Sequence, residues 1–242
     1  MGRSLRLTYR GALHHVTMRC NNKEFLFDEQ SCHLFLDLLR ETCERHHAPL
    51  YNYCLMTNHV HLLFEVNTEN TLSPLMHRLA NVFAKRFNAV RGRKGHLWEG
   101  RFVSTIVEAP SYFLRCMAYI DLNPVRAGIA PAPAEYRWGA HRHLAAEDET
   151  VIRLHKHYLE LGEDSSIRYE NYVRLLAEEA ARKPYSLAGV LFVGTKRFVK
   201  TMQGQFGIES DKRPRVRSVA LGEGIEATER QGGGSSGRKT QS

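Results

Sequence analysis

The pattern of apolar residues predicts an α+β fold for this chain, a ferredoxin-like sandwich in which one antiparallel sheet carries helices on one face, followed by a helical, basic C-terminal extension. Three observations carry that prediction. Apolar residues alternate as in strands in some stretches and recur at steps of three or four, as in helices, in others. Two strand-like stretches stand only two residues apart, which is hairpin spacing. The resulting order is strand, helix, strand, strand, helix, strand, helix.

The opening strand centres on His14 to Met18, within "RLTYRGALHHVTMRC", which is rich in β-formers. Asp28 is placed to cap a helix running to about Arg45, because Cys32, Phe35, Leu36, Leu39 and Cys43 recur at helical spacing. "PLYNYCLM" and "HVHLLFEV" follow as two strands with only Thr57 and Asn58 between them. Ser73 and Pro74 suit a helix start, and Leu75, Leu79, Phe83, Phe87 and Val90 give that helix an apolar face ending near Gly92. After a basic, Gly-rich loop, "FVSTIVE" is β-like, and Pro110 opens a third helix that Pro124 should stop. Residues 1–145 are expected to form the main domain and residues 146–220 an extension, partly helical from Ile167 to Ala181 and basic beyond. Residues 221–242 have the Gly and Ser composition of a disordered tail.

Composition narrows the function. Apolar residues make up 43% and charged residues 25% of the 242, the balance of a globular protein. A net charge of +8 favours a polyanionic partner. The five cysteines are odd in number, well separated and mostly within apolar runs, so they are expected to be reduced and buried, as in a cytoplasmic protein. The first residues lack the continuous apolar run of a signal peptide, and no stretch reaches transmembrane length, so no membrane association is expected.

His59 and His61 are the first candidate site residues. Strand periodicity points both imidazoles to one face and Val60 to the other, so the pair can share one metal ion. Satisfied polar residues at a sheet edge are the alternative. Two further such pairs, His141 with His143 and His155 with His157, are expected on the surface, since 13 histidines make one by chance. A histidine triad is excluded, because position 63 is leucine. In the third helix, Phe113, Cys116, Met117, Ile120 and Pro124 fall on one side at about 100° per residue. Tyr112, Arg115, Tyr119 and Asn123 line the other. A phenol is a poor nucleophile unless its electrophile is activated, which a metal at the histidines would do for a phosphate.

"MTNHVHLL", "GHLWEGRF" and "AYIDLNPVRAG", in this order and spacing, resemble the single-tyrosine HUH transposases, most closely the REP-associated tyrosine transposases, over about residues 5–145. The resemblance implies a ferredoxin-like domain that nicks and rejoins single-stranded or hairpin DNA through a 5′-phosphotyrosine, with Mg²⁺ or Mn²⁺ as the only cofactor. It implies Tyr119 as nucleophile and His59 and His61 as metal ligands. Asn123 stands where better-known members carry a glutamine as third ligand, and it is shorter by one methylene. Both monomers and homodimers occur in the family.

DNA-binding candidates cluster near these residues: Arg78, Lys85, Arg86, Arg91, Arg93, Lys94 and Arg101, with Trp98 available to stack on an unpaired base and Arg115 on the tyrosine helix. A second basic group, Arg182, Lys183, Lys196, Arg197, Lys200, Lys212, Arg213, Arg215 and Arg217, suits the stem of a hairpin. Two other functions fit the same residues: a DNA- or RNA-binding regulator that does not cut, and a metallohydrolase without a covalent step.

Overall fold

The computed structural model describes residues 6–21, 26–109, 112–183, 185–187 and 189–208, with the backbone of 217–219. Pro110, Lys212, Arg213, Arg215 and the tail from 221 lie outside the described residues.

β1 (Ala12–Arg19) lies between β3 (His59–Val66) and β4 (Val103–Val107), antiparallel to both. β2 (Leu50–Leu55) forms the expected hairpin with β3. The extension adds β5 (Val190–Val193), parallel to β4, and the short β6 (Arg217–Val219), giving the order β2-β3-β1-β4-β5-β6. A parallel pair needs a long crossover. The chain supplies it in the helices between β4 and β5.

The register sorts the side chains into two faces. His61 stands opposite Thr17 and Cys54, and Leu63 opposite His15 and Asn52, so these residues share one face. Val60, Leu62 and Phe64 share the other with Val16 and His14. α1 (Glu29–Arg45) and α2 (Leu72–Val90) pack together, and a cluster of Phe27, Phe35 and Phe83 rings joins them, with centroids 5.0–5.8 Å apart. Asp28 caps α1 as expected, accepting the Ser31 N–H at 2.9 Å. At α2 the cap position is Thr71 rather than Ser73, so the helix starts two residues earlier and Pro74 lies inside its first turn, where no N–H is missed.

The strands are buried on both faces, so the sheet needs a second cover. α3 (Phe113–Asp121) supplies it. Asn52 of β2 donates its amide to the Met117 carbonyl at 3.3 Å and to Asp121 Oδ1 at 2.9 Å. Pro124 does not stop the helical path. It occupies the first turn of α4 (Asn123–Arg126), a position that tolerates proline, and the turn ends at Gly128 with φ +67°.

Behind α3 lies α7 (Ser165–Ala181), capped by Asp164. The histidine pairs expected on the surface are largely buried here. His141 of α5 (His141–Ala145) contacts Asp121 Oδ2 at 3.1 Å, and Tyr172 of α7 donates to the same oxygen at 2.7 Å. His155 stacks on Phe113 with centroids 4.0 Å apart, beside His157 at the start of α6 (Lys156–Leu159). The extension covers them, which composition alone did not indicate. All five cysteines are free and buried, as expected. Among the described residues no helix is long and apolar enough to cross a membrane.

Removing the Asp121 carboxylate would leave the Tyr172 hydroxyl and the His141 Nδ1 without their partner and Asn52 with the Met117 carbonyl alone. Asp121→Ala is expected to lower the unfolding free energy by about 3 kcal/mol or more, read as a fall in the urea midpoint.

His14, between Thr8 Oγ1 at 2.9 Å and Ser104 Oγ at 2.7 Å, is held by burial down to a pKa of about 3, as is His15. The unfolded chain takes up these protons first, near its ordinary 6.5, so their contribution is complete above that pH and is lost as the pH falls toward 3. Unfolding free energies from urea titrations at pH 7 and pH 5 should differ by about 2 kcal/mol for each histidine, and His14→Gln should remove its share.

Candidate active site

The β2–β3 turn places His59 at the head of β3 and His61 one pleat further in. Asn58 Oδ1 lies 2.7 Å from His59 Nδ1 and can only accept, so that nitrogen carries the hydrogen and Nε2 keeps its lone pair. His61 Nδ1 is 2.9 Å from Nε2 of His15 on β1. The His61 Nε2 is buried and has no partner among the described residues. The two ring centroids lie 5.0 Å apart. Burial, helped by Arg19, lowers the His59 pKa to about 4 and holds His61 well below its ordinary value. Both rings are neutral at physiological pH, the state in which imidazole binds metals.

α3 brings Tyr119 to the same place. Its ring sits edge-on to His15 and His61, with centroids 5.6 and 5.9 Å away. Tyr185 stacks on it at 5.2 Å, and Leu187 lines the same cleft with its backbone near the phenol. Burial raises the phenol pKa above its ordinary 10, while the Leu187 N–H and, more weakly, Arg126 oppose the rise. Asn123, one turn beyond, donates Nδ2 to the Tyr119 carbonyl at 2.7 Å, which leaves Oδ1 as its remaining acceptor.

His59, His61, Tyr119 and Asn123 of one chain thus line a single cleft of about 470 Å³, with Arg19, Glu99 and Arg101 also lining it. The donors fit a divalent cation. An unpartnered, buried imidazole nitrogen beside a second imidazole and an amide oxygen is an incomplete ligand set of borderline hardness, suited to Mn²⁺ or a similar ion. Among the described residues no group of three or more His, Cys, Asp or Glu side chains is placed to hold a metal.

The DNA-binding candidates divide. A second cleft of about 520 Å³, lined among others by Lys85, Trp98, Phe102 and Arg101, adjoins the first and shares Met18, Gly100 and Arg101 with it. The Trp98 indole donates to the Ala80 carbonyl at 3.0 Å, and its ring packs near Phe83, so it pins the loop to α2 while part of the ring still lines this cleft. Lys85, Arg86, Lys94 and Arg101 are exposed and have no acidic partner among the described residues. Arg93 binds the His96 carbonyl at 3.1 Å. Arg78 pairs with Glu41 and Arg91 with Asp28, both tying α2 to α1.

Arg115 belongs to the packing rather than to this surface. Only 13% exposed, it binds Glu179 of α7 at 2.9 Å. The stripe expected to be polar is covered by the extension, and Tyr112 is buried with it. Of the second basic group, Arg182 also pairs with Glu179, at 3.2 Å, while Lys196, Arg197 and Lys200 lie on α8 (Lys196–Gln205).

Sequence reasoning missed His15, Tyr185 and Leu187. The alternation of β1 offered a signal for His15, since it places one member of the His14–His15 pair on the His61 face. Nothing local marked the other two, which lie more than 60 residues from Tyr119 in the chain.

The family model described as "Transposase IS200 like" matches residues 8–123. No curated protein matches the chain. Among solved structures, one described as a REP-associated tyrosine transposase bound to a REP hairpin superposes with a TM-score of 0.52 at 17% identity, covering 65% of this chain and 93% of its own. A putative transposase from Deinococcus radiodurans R1 shares 15% identity over 46% of this chain and 88% of its own, with a TM-score of 0.36. Residues 8–123 thus resemble the IS200-like transposases, and the fold of the chain is similar to that of a REP-associated tyrosine transposase.

Proposed function

We propose that this protein is a metal-dependent enzyme that nicks and rejoins single-stranded DNA beside a hairpin, through a covalent bond to Tyr119. The observation that carries the reading is the meeting of the Tyr119 ring with the His61 ring, 5.9 Å apart, in a cleft that His59 and Asn123 also line. The related fold in complex with a REP hairpin supports the choice of DNA.

His59 Nε2, His61 Nε2 and the Asn123 Oδ1 would hold the cation. When bound, a divalent ion supplies charge withdrawal from a phosphate oxygen, and the nitrogen donors favour Mn²⁺ over Mg²⁺. Tyr119 is held by Tyr185 stacked on its face, with the Leu187 backbone near its oxygen, which limits the orientations of the phenol. Its attack on phosphorus gives a 5′-phosphotyrosine and frees a 3′-hydroxyl. The phosphodiester energy stays in the new bond, so a 3′-hydroxyl from another strand can reverse the step without ATP. Arg101, between the two clefts, is placed to contact the backbone as the strand passes from one to the other. One chain supplies the tyrosine and the histidines alike, so the reading requires no partner subunit.

A labelled hairpin oligonucleotide with a single-stranded flank, incubated with Mn²⁺ or Mg²⁺, should give a protein–DNA adduct that survives denaturation. Tyr119→Phe should abolish the adduct and keep DNA binding, and His61→Ala should slow its formation on the order of 10³-fold. Binding without any adduct in the parent protein would instead mark a regulator, and cleavage that survives Tyr119→Phe a hydrolase.

The cations should differ in the same oligonucleotide's salt titration. Arg101→Ala should reduce the slope of log K against log salt by about 0.7–0.9, one phosphate contact. Arg78→Ala should leave the slope unchanged, because that guanidinium is engaged by Glu41.

A further inference from the structure

We propose that His15 is a positioning residue that fixes His61 in the tautomer able to bind a cation, an inference that rests on reading the cleft as metal-dependent. His15 is 2% exposed and comes from β1, a different strand from the ligand it contacts. Its Nε2 lies 2.9 Å from His61 Nδ1, and the rings are nearly parallel, with an interplanar angle of 8°. Only one hydrogen can sit between those two nitrogens.

The two possible placements have different consequences. With the hydrogen on His15 Nε2, the His61 Nδ1 accepts, and its neutral ring must carry its own hydrogen on Nε2. That atom is the buried, unpartnered one beside the cleft, and in this form it presents an N–H that no cation can bind. With the hydrogen on His61 Nδ1, His15 accepts it and the His61 Nε2 lone pair is free. Metal-binding histidines commonly donate their other N–H to a carboxylate, carbonyl or water, which fixes the ring and its tautomer. Here an imidazole takes that part. A neutral acceptor does so without placing a negative charge beside an incoming phosphate.

His59 is held the same way by a different partner, Asn58 Oδ1. The two ligand nitrogens are therefore prepared by two separate acceptors, one in the hairpin turn and one on the neighbouring strand. Only the second reaches across the sheet, so β1 helps define the site without itself presenting a ligand. His15 and Thr17 both face this side, because the β1 register sets them opposite Leu63 and His61.

The test uses the full chain and two readouts. Long-range ¹H–¹⁵N spectra of the metal-free protein should show His61 protonated at Nδ1 in the parent and in His15→Gln, whose amide oxygen can accept the same hydrogen. In His15→Leu the population should move toward Nε2–H. Calorimetric titration with Mn²⁺ should give a dissociation constant within about 3-fold of the parent for His15→Gln and weaker by about 10–100-fold for His15→Leu. A parent His61 protonated at Nε2 overturns the inference, even if His15→Leu fails to fold. So does Mn²⁺ binding by His15→Leu equal to the parent's, or a loss in His15→Gln as large as in His15→Leu. A parent protein that takes up no Mn²⁺ overturns the metal reading and this inference together, whereas parental binding with indifferent variants overturns this inference alone.

Discussion

The site depends on one buried carboxylate. Asp121, at the last residue of α3, takes hydrogen bonds from Asn52 of the sheet and Tyr172 of α7, and it contacts His141 of α5. Tyr119 precedes it by two residues and Asn123 follows by two. Fixing Asp121 therefore fixes the height and rotation of the helix that carries both. A buried carboxylate is tolerated only when its oxygens are fully paired. This one draws its partners from three separate elements, so it orders all of them at once. A second anchor, Glu179, binds Arg115 of α3 and Arg182, and its backbone carbonyl accepts from Arg126. Together these contacts hold the tyrosine helix against its own chain's sheet.

The extension is part of the site's construction. α7 covers the outer side of α3, and the chain beyond it returns past Tyr119 before β5 joins the sheet edge. Tyr185 and Leu187 belong to that return, so the surroundings of the phenol are set partly by residues outside the 8–123 match. At the opposite edge, β2 is protected by the segment at Trp138 to Ala140, which exchanges backbone hydrogen bonds with Tyr53 and Leu55. Both edges of the four-strand core are thus partly covered, β4 by β5 at Ile106 and Val107 and β2 at Tyr53 and Leu55.

Much of the fold was legible in the sequence because its signals are local. Alternation in β3, the helical step in α1 and the two-residue hairpin all depend on neighbours a few positions away, and all three elements lie where periodicity put them. The same alternation set His59 and His61 on one face. What local patterning could not show was which helix face the extension would bury. The polar stripe on α3 read as open because nothing nearby in sequence announced Glu179, Tyr172 or Tyr185 as its cover. The histidines at 141, 155 and 157 read as surface residues for the same reason. Arg115 illustrates the general difficulty. A cation one turn from a candidate nucleophile suggests a phosphate contact, but a buried carboxylate 64 residues later claims it.

Two imidazoles in the middle of an apolar strand need a physical reason to be there, and the hydrogen-bond pattern supplies one. A histidine with both nitrogens satisfied is a stable core residue, as His14 demonstrates between Thr8 and Ser104 on the opposite face. His61 has the same burial but only one nitrogen satisfied. Leaving a buried polar atom unpaired costs about 1–3 kcal/mol. A ligand bound at that nitrogen would add its binding free energy to the folded state only. The asymmetry between His14 and His61, two histidines of one sheet at nearly equal burial, supports the proposed site in a way that neither charge nor spacing does.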